Sequence, residues 1–440
     1  MRILILDVYP DRPYRISKDT NGGFGTANDY GDAFIPRLLR FAAKAALDWP
    51  PLYAAYAAGA LRAAGHEVEY SRKFAGGAFD LCLLATSIVA HETEVAAARQ
   101  VSLAGIPVAA IGPFANTMAQ PYLDAGAFVV RGEPEMFFHD FSLSPTEVAK
   151  LGPFCEAGPS IELDELAYPA WDIIQRDHRI SHGVLSFGKK SLPIVATRGC
   201  PYSCANYCVY PLQQGKSVRY RSPEKIVEEM KYWQDTLGID NFVFRDPVFS
   251  INQKNTMAFC DEIEKSGRKF RFLIETHLKN VSDELARRLY DVGLRTIFVG
   301  IESASEEVMS DARRFTIGLE EEKIKIRKFE KIGVDVKAMF ILSFPRDSVE
   351  SCRKTIEFAK ELCTAFAIFC VFTPYPGTPV FSRYADRITT SRYEDFTQWN
   401  LVFEHPELSS GEIRSLLDSG HTRYYANPRW LLKFLRRLFR

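Results

Sequence analysis

The stretch LPIVATRGCPYSCANYC (residues 192–208) begins as an apolar run and ends in a loop that carries three cysteines. Short apolar runs bounded by turn residues are typical of strands buried in a parallel sheet. Five more such runs follow, separated by charged amphipathic segments, the first of which opens with Ser222 as a helix N-cap and Pro223 at the first helical position. The pattern predicts six β/α units, two short of a closed eight-fold barrel. The six predicted strands are residues 192–197, 241–246, 270–276, 296–303, 335–343 and 365–374.

A second alternation of strands and helices precedes this one. RILILD (residues 2–7) predicts a buried parallel strand, and further strands alternate with helices as far as AFVVRGE (residues 127–133). The fold class is therefore α/β, with a Rossmann-like domain followed by a partial (β/α)6 barrel of the TIM type. The predicted parts are a Rossmann-like domain (1–145), a connector (146–190), the barrel (191–380) and a small helical extension (381–440).

Composition narrows the class of protein. The 440 residues include 55 Lys and Arg against 55 Asp and Glu, a balance that argues against a nucleic-acid-binding surface. The opening apolar run is too short for a signal peptide, and the long uncharged stretch from Gln100 to Leu123 contains three prolines, so no transmembrane helix is expected. Nine cysteines, an odd number, fit reduced thiols better than a disulfide framework, and we expect a cytoplasmic protein.

Cys200, Cys204 and Cys208 lie in the loop after the first predicted barrel strand, where barrels carry out their chemistry. Thiolates are soft ligands that select zinc, Cu(I) or iron–sulfur clusters. A structural zinc site normally has a fourth Cys or His, and the nearest histidine on the N-terminal side is His182. Three ligands leave one metal position open, which favours a cluster with one substrate-binding iron; the alternative is three buried structural cysteines.

The cysteine loop, set in six β/α units, resembles that of the radical S-adenosylmethionine (SAM) enzymes. Their pattern has an aromatic residue just before the third cysteine, and Tyr207 occupies that place. The commonest spacing in the family is C-x3-C-x2-C, so this chain has one extra residue between Cys204 and Cys208. The resemblance implies that these two residues and Cys200 bind a [4Fe–4S] cluster whose open iron binds SAM.

Segments in both halves of the chain are similar to the cobalamin-binding group of radical SAM enzymes. No single segment is decisive, but their order and spacing together are specific. The resemblance implies that the N-terminal Rossmann-like domain binds cobalamin. The segments are residues 50–70, RGEPE (131–135), LDELAYPAWD (163–172), residues 275–303, FILSFPRDSVES (340–351) and FTPYPGTPVF (372–381).

The resemblance also implies contacts to SAM at the ends of the predicted barrel strands. Asp246 occupies the place where the family contacts the methionine moiety, while Glu302 and Ser303 occupy the usual place of ribose or methionine contacts. His277 is a candidate acid, base or substrate contact. Each has a structural alternative: Asp246 could pair with Arg245 or cap a turn, Glu302 could accept backbone amides, and a lone histidine is often simply hydrogen bonded within the fold.

In the N-terminal half, the DxHxxG signature that supplies a histidine to cobalamin is absent, and the corresponding segment reads DVYPDR (residues 7–12). The resemblance therefore implies cobalamin without a histidine ligand from that motif; His91 is a weaker candidate for a cobalt-facing group.

The glycine-rich segment NGGFGTANDYGD (residues 21–32) lacks a dinucleotide fingerprint and is predicted to border the corrin or the substrate. The alternative is a Rossmann-like domain that has lost its ligand. The residues expected to line the nucleotide tail are Thr86, Ser87, Gly112, Pro113, Gly132 and Glu133.

The C-terminal sequence NPRWLLKFLRRLFR (residues 427–440) predicts an amphipathic helix with five basic residues and no acidic one. A helix of this kind can lie on an anionic membrane, or its apolar face can dock on the barrel. Both interpretations are open from the sequence.

Taken with the resemblance, these features predict a cobalamin-dependent radical SAM methyltransferase. It would transfer a methyl group to an unactivated carbon of a small-molecule or lipid substrate through a 5′-deoxyadenosyl radical. Such an enzyme needs an external electron donor of the flavodoxin or ferredoxin type. One alternative is a radical SAM enzyme that uses cobalamin without net methylation, in a rearrangement or cyclisation. Another is a non-catalytic sensing protein that contains cobalamin or an iron–sulfur cluster.

Overall fold

Two parallel sheets organise the structure, a computed structural model that describes residues 1–46, 49–158, 161–174 and 190–438. The strands of the first half are β1 (Arg2–Leu6), β2 (Ile16–Ser17), β3 (Thr26–Ala27), β4 (Glu67–Ser71), β5 (Leu81–Ala85), β6 (Val108–Ile111), β7 (Ala127–Arg131) and β8 (Phe154–Glu156). Its helices are α1 (Phe34–Ala46), α2 (Leu52–Ala63), α3 (His91–Leu103), α4 (Pro113–Thr117), α5 (Gln120–Leu123), α6 (Pro134–Phe138) and α7 (Pro145–Val148).

The N-terminal sheet has the strand order β4-β1-β5-β6-β7-β8, and every neighbouring pair is parallel. The chain moves from β1 to one side of the sheet and then returns to the other, so the order reverses between β1 and β5. In open α/β sheets this reversal leaves a crevice at the carboxyl ends of the two strands. The edge strand β8 lies beyond the boundary predicted at residue 145; its three residues are too few to show a periodic pattern.

The second half begins with α8 (Trp171–Ile174) and contains the second sheet. Its strands are β9 (Leu192–Ile194), β10 (Thr197–Arg198), β11 (Arg219–Tyr220), β12 (Asn241–Phe244), β13 (Arg271–Glu275), β14 (Leu294–Glu302), β15 (Asp335–Leu342) and β16 (Phe366–Val371). The helices that follow α8 are α9 (Tyr210–Gln214), α10 (Pro223–Leu237), α11 (Gln253–Ser266), α12 (Asp283–Asp291), α13 (Glu306–Asp311), α14 (Leu319–Ile332), α15 (Val349–Leu362), α16 (Pro379–Arg383), α17 (Ser410–Tyr425) and α18 (Pro428–Leu438).

The six predicted barrel strands are confirmed as one parallel sheet in the order β9-β12-β13-β14-β15-β16. Consecutive strands are neighbours, as expected of β/α units wound in one direction. In β15 the alternate residues Val336, Ala338, Phe340 and Leu342 are fully buried on the helix-covered face. On the other face, inside the open barrel, Trp49 packs with apolar side chains of β12, β13 and β14.

The chain between β1 and α1, which includes the glycine-rich segment of residues 21–32, leaves the first sheet and packs against the barrel half. Asp19 forms an ion pair with Arg245 at 2.8 Å, and Thr26 donates a hydrogen bond to the Thr397 carbonyl at 2.6 Å. Asp32, at the end of the segment, pairs with an arginine of α17. These contacts fix a long irregular segment in place between the two halves of the molecule.

The C-terminal helix α18 docks on the barrel by one face and exposes the other. Trp430 is buried and donates a hydrogen bond to the Ala365 carbonyl at 3.0 Å. On the opposite face, the leucines at 431, 432 and 435 are between 45% and 59% exposed. Within the described ranges, no helix combines the length and the apolar character that are needed to cross a bilayer.

Candidate functional site

The cysteine loop follows β9 and is held in place by backbone contacts. The short strands β10 and β11 pair on either side of it, and the Cys200 amide donates to the Gly215 carbonyl at 3.1 Å. Gly199 has a φ of +94°, and a Cβ atom there would lie 2.1 Å from the Ser217 carbonyl oxygen. Because no side chain fits at Gly199, the chain can turn sharply into the cysteine loop at this point.

A 3-10 turn at residues 203–206 accommodates the extra residue between the second and third cysteines. The Cys208 amide donates to the Cys204 carbonyl at 2.9 Å, the spacing of one helical turn, so both side chains lie on the same side of the loop. All three cysteines line one cleft at the carboxyl ends of the barrel strands.

The cleft contains about 1170 Å³ of space not filled by atoms, including its open mouth. Within the described residues, no set of three or more His, Cys, Asp or Glu side chains surrounds a single metal ion. A cubane cluster binds each cysteine at a different iron, and three thiols, with no fourth ligand among the described residues, match a cluster with one open iron. The donor set therefore fits a [4Fe–4S] cluster.

Glu302 lines the same cleft and is held there by an arginine that the sequence patterns did not reveal. Its backbone has a φ of +67° at a register shift between β14 and β15. Arg314 lies 3.5 Å from the Glu302 carboxylate and donates to the Gly300 carbonyl at 2.9 Å. Burial raises the pKa of the Glu302 carboxyl, and the Arg314 charge opposes this. A Cβ atom on Gly300 would meet both side chains, at 2.6 and 3.0 Å.

Arg314 also connects this pair to the cysteines. Its guanidinium lies 3.8 Å from the Cys204 sulfur. The hydrogen bond from Cys208 and the Arg314 charge lower the pKa of Cys204 to about 6, against the effect of burial. A buried cation at this place would offset the negative charge that a thiolate-bound cluster would bring into the barrel.

Tyr207 forms part of the cleft wall. Its ring packs against Phe344 and Phe372 at centroid distances of 5.5 and 5.9 Å. Its buried hydroxyl has no hydrogen-bond partner among the described residues, and burial raises its pKa well above 10. The side chain thus offers an unused donor and acceptor at the cleft.

Two of the predicted SAM contacts, Asp246 and Ser303, form hydrogen bonds within the protein and do not line the cleft. Asp246 is fully buried, and its carboxylate accepts hydrogen bonds from the backbone amides of Ala196, at 3.1 Å, and Thr197. Burial raises the pKa of Asp246 to about 6. Ser303 is also buried and shares a hydrogen bond of 3.2 Å with the Thr355 hydroxyl. Asp246 therefore anchors the chain just ahead of the cysteine loop.

His277 lines the cleft, but both of its ring nitrogens have internal partners. Nδ1 accepts from the Lys279 amide at 3.1 Å, and Nε2 lies 3.1 Å from the Phe315 carbonyl, to which it can donate. Burial and the Arg314 charge lower the pKa of His277 to about 4. This arrangement fits a neutral imidazole that shapes the wall.

Four of the six predicted nucleotide-tail residues line a second cavity, between the N-terminal sheet and the barrel: Gly112, Pro113, Gly132 and Glu133. Glu133 forms an ion pair with Arg198 at 2.7 Å across this interface. Two further lining residues, Asn116 and Gln213, carry buried side-chain oxygens without a partner among the described residues. Unpaired acceptors of this kind suit the primary amides that fringe a corrin ring. The residues of this interface cavity therefore fit cobalamin.

The other two predicted tail residues, and His91, lie outside both cavities. Thr86 is fully buried and donates to the Ile111 carbonyl at 2.8 Å; Ser87 donates to the Glu94 carboxylate at 2.9 Å. The His91 ring packs against Phe114 and Tyr393. His182, considered above as a zinc ligand, lies outside the described residues.

Comparison with known proteins agrees with this geometry. The sequence model of the radical SAM superfamily matches residues 194–359. An uncharacterised methyltransferase of Pyrococcus horikoshii is 29% identical over 330 residues, which cover 71% of this chain and 70% of that protein. The anaerobic magnesium-protoporphyrin IX monomethyl ester cyclase of Cereibacter sphaeroides is 25% identical over 426 residues, which cover 87% and 68%.

Solved structures share the fold of both halves. The radical SAM methyltransferase TsrM from Kitasatospora setae, with cobalamin and a [4Fe–4S] cluster bound, has a TM-score of 0.59 at 15% identity, covering 88% of this chain and 78% of that one. The cobalamin-dependent radical SAM enzyme OxsB, with aqua-cobalamin and SAM bound, has a TM-score of 0.68 at 13% identity, covering 99% and 70%. Residues 194–359 thus form a radical SAM domain, and the two-sheet fold of the chain is similar to that of the cobalamin-bound radical SAM enzymes TsrM and OxsB.

Proposed function

We propose that this protein is a cobalamin-dependent radical SAM methyltransferase acting on an unactivated carbon of a small-molecule or lipid substrate. The observation that carries the proposal is the single cleft that gathers three cysteines, Glu302 and Arg314 at the carboxyl ends of the barrel strands. Methyl transfer is supported by two similar proteins, the P. horikoshii relative and TsrM, which are both named as methyltransferases.

When bound, the cluster supplies the electron that cleaves SAM, and cobalamin carries the methyl group. In this chain Cys200, Cys204 and Cys208 would hold the cluster. Glu302 would accept hydrogen bonds from the ammonium or hydroxyl groups of SAM, because its carboxylate lies in the cleft and is oriented by Arg314. The buried position of these groups keeps water away from a reactive radical.

Cobalamin would occupy the interface cavity, where Glu133 and the unpaired oxygens of Asn116 and Gln213 can accept hydrogen bonds from its amides. An external electron donor of the flavodoxin or ferredoxin type would reduce the cluster. All nine cysteines are free thiols, in keeping with a reduced, cytoplasmic setting.

A second candidate is a radical SAM reaction without net methylation, such as a cyclisation. It is favoured by the similarity of 87% of the chain to the magnesium-protoporphyrin ester cyclase. A non-catalytic sensing protein is the remaining alternative.

Product analysis of SAM turnover separates these functions. We expect the anaerobically reconstituted protein, given cobalamin, a reductant, SAM and its substrate, to form both 5′-deoxyadenosine and S-adenosylhomocysteine. Formation of 5′-deoxyadenosine alone would favour the reaction without methylation. With neither product, the methyltransferase proposal fails in favour of the sensing function.

We also propose that α18 brings the protein to an anionic membrane surface. Its exposed leucines at 431, 432 and 435 are flanked by the exposed Arg429 and Arg436, the pattern of a helix that lies in the lipid interface.

Replacing Leu431 and Leu435 with serine should weaken binding to phosphatidylglycerol-containing vesicles about tenfold or more, because two apolar anchors are lost. Cosedimentation measures this, with Leu103→Ser, an 89% exposed leucine elsewhere, as control. Equal vesicle binding by the parent protein, the double serine variant and the Leu103→Ser control would contradict the proposal.

A further inference from the structure

The helix α1 exposes a stripe of large apolar side chains to solvent. Phe34, Leu38 and Phe41 are 81%, 56% and 72% exposed. Their spacing of four and then three residues places them on one face of the helix. Elsewhere in the described residues, α18 exposes three large apolar side chains, and every other helix, strand or loop exposes one at most. Single exposed apolar side chains are common on protein surfaces, whereas a stripe of three indicates a contact surface.

The opposite face of α1 is packed against the protein, so the stripe belongs to an ordered helix. Ala43 forms a buried cluster with Tyr30 and Trp399, and Leu39 packs against this cluster. Ile35 packs against the main hydrophobic core. These inward side chains fix the rotation of α1 about its axis and thereby keep the stripe on the outside.

The N-terminal end of α1 is fixed to α17. The Asp418 carboxylate, on α17, accepts hydrogen bonds from the backbone amides of Asp32 at 2.6 Å and Ala33 at 2.8 Å. Arg414, one helical turn earlier on α17, forms ion pairs with Asp29 and Asp32. The residues that precede the helix are therefore held by α17, and their acidic side chains have basic partners.

The charge of α1 indicates which surface the stripe fits. Residues 34–46 contain Arg37, Arg40 and Lys44 and no acidic residue. Arg40 pairs with Asp29 at 2.8 Å, whereas Arg37 and Lys44 are exposed and form no ion pair with the described residues. Both lie three residues after a phenylalanine of the stripe, which places them beside it on the helix surface. An apolar stripe with adjacent basic residues is typical of helices that lie in the interface of an anionic membrane.

The position of α1 gives this surface a place relative to the cleft. The barrel sheet ends at the strands β9 and β16, and Ile368 and Cys370 of β16 pack against the cluster that contains Ala43. Cys370 also lines the cleft that contains the three cysteines of the loop. The helix thus lies between this edge of the barrel and the surface that its stripe would contact.

We propose that α1 is a membrane-binding helix, which inserts Phe34, Leu38 and Phe41 into an anionic bilayer and holds the β16 edge of the barrel at the lipid surface. The inference depends neither on the methyltransferase reaction nor on α18. It adds a second helix to the membrane contact proposed for α18, and both helices pack against α17: the Trp430 ring of α18 lies 4.7 Å from the Tyr425 ring of α17.

Cosedimentation of the 440-residue protein with phosphatidylglycerol-containing vesicles tests the proposal. Replacing Phe34 and Phe41 with serine should weaken vesicle binding about tenfold or more, because two apolar anchors are lost. The melting temperature without vesicles should stay at the parent value, because both side chains are exposed. Leu103→Ser, at an 89% exposed position of α3, is the matched control and should bind vesicles like the parent.

The basic residues provide a second, independent variant. Replacing Arg37 and Lys44 with glutamine should weaken binding to the phosphatidylglycerol-containing vesicles about tenfold, because two contacts to anionic lipid are lost. Binding to neutral phosphatidylcholine vesicles should not change. Equal loss on both kinds of vesicle would contradict the electrostatic part of the proposal.

The remaining outcomes distinguish the membrane from other partners of the stripe. Parent-level vesicle binding by the double serine variant, or equal weakening by Leu103→Ser, would overturn the proposal. A parent protein that is a dimer without lipid, and a double serine variant that is a monomer, would assign the stripe to a second copy of this chain instead. The leucines of α18 remain in every variant, and SAM turnover is measured separately, so either result leaves the other two proposals to their own tests.

Discussion

Replacing Cys204 with alanine is expected to remove the iron–sulfur cluster and, with it, the cleavage of SAM. Cys204 is the middle cysteine of the loop, and its sulfur lies 3.8 Å from Arg314. If the three cysteines hold the cluster as proposed, alanine leaves two thiols in the cleft, too few for a stable four-iron cluster. Mutating a residue that only hydrogen bonds to a metal ligand typically lowers metal affinity or activity by about 10- to 100-fold. Removing the ligand itself should therefore lower cluster content and SAM cleavage by at least about 100-fold. The effect is measured by iron and sulfide analysis, by the visible absorbance of the thiolate-to-iron charge-transfer bands, and by the formation of 5′-deoxyadenosine.

Cys363→Ala is the matched control, because Cys363 is a partly buried free cysteine at the end of α15, away from the cleft. It should keep the iron content and the turnover of the parent protein. A full complement of iron in Cys204→Ala, together with normal turnover, would exclude Cys204 from the ligand set. Loss of iron in both variants would show that the assay reports misfolding instead of ligation.

Local patterns along the chain were sufficient to predict the barrel and the cysteine loop. Each barrel strand is a short apolar run followed by an amphipathic helix, so its neighbours are determined within one β/α unit. The cysteines share one nine-residue stretch, and one helical turn brings Cys204 and Cys208 to the same side. Features that depend on nearby residues are readable from sequence in this way.

The residues that complete the sites depend on distant partners and gave no local signal. Arg314 is 110 residues from Cys204, and Lys18 is 67 residues from the Ala85 carbonyl that it contacts. Both Glu302 and Asp246 lie at strand ends, but the Glu302 carboxylate lines the cleft, whereas backbone amides next to β9 bind the Asp246 carboxylate. A polar side chain at a strand end can thus either contact a ligand or hydrogen bond to the neighbouring backbone. Only the hydrogen-bond partners seen in the structure distinguish these two roles.

Replacing Lys18 with methionine should have the largest effect on stability. Methionine matches the length and apolar stem of lysine but leaves Asp7 and Glu94 buried without their cation. Breaking a buried ion pair on one side typically costs about 3–5 kcal/mol.

Burial alone would lower the pKa of Lys18, but the charges of Glu94 and Asp7 outweigh it and raise the pKa above its ordinary value. Lys18 therefore stays charged, and its stabilising effect is complete, at every pH below the ordinary lysine value; it is lost only as the pH rises through the raised pKa.

The free energy of unfolding in urea, or the melting temperature, measures this loss. The triple variant Lys18→Met, Asp7→Asn, Glu94→Gln removes all three charges and should regain much of the stability, because no unpaired charge remains buried. Lys225→Met, which breaks the exposed pair with Glu228, should change stability by no more than about 1 kcal/mol. If Lys18→Met were as stable as that control, the buried ion pairs of Lys18 with Asp7 and Glu94 would not stabilise the fold.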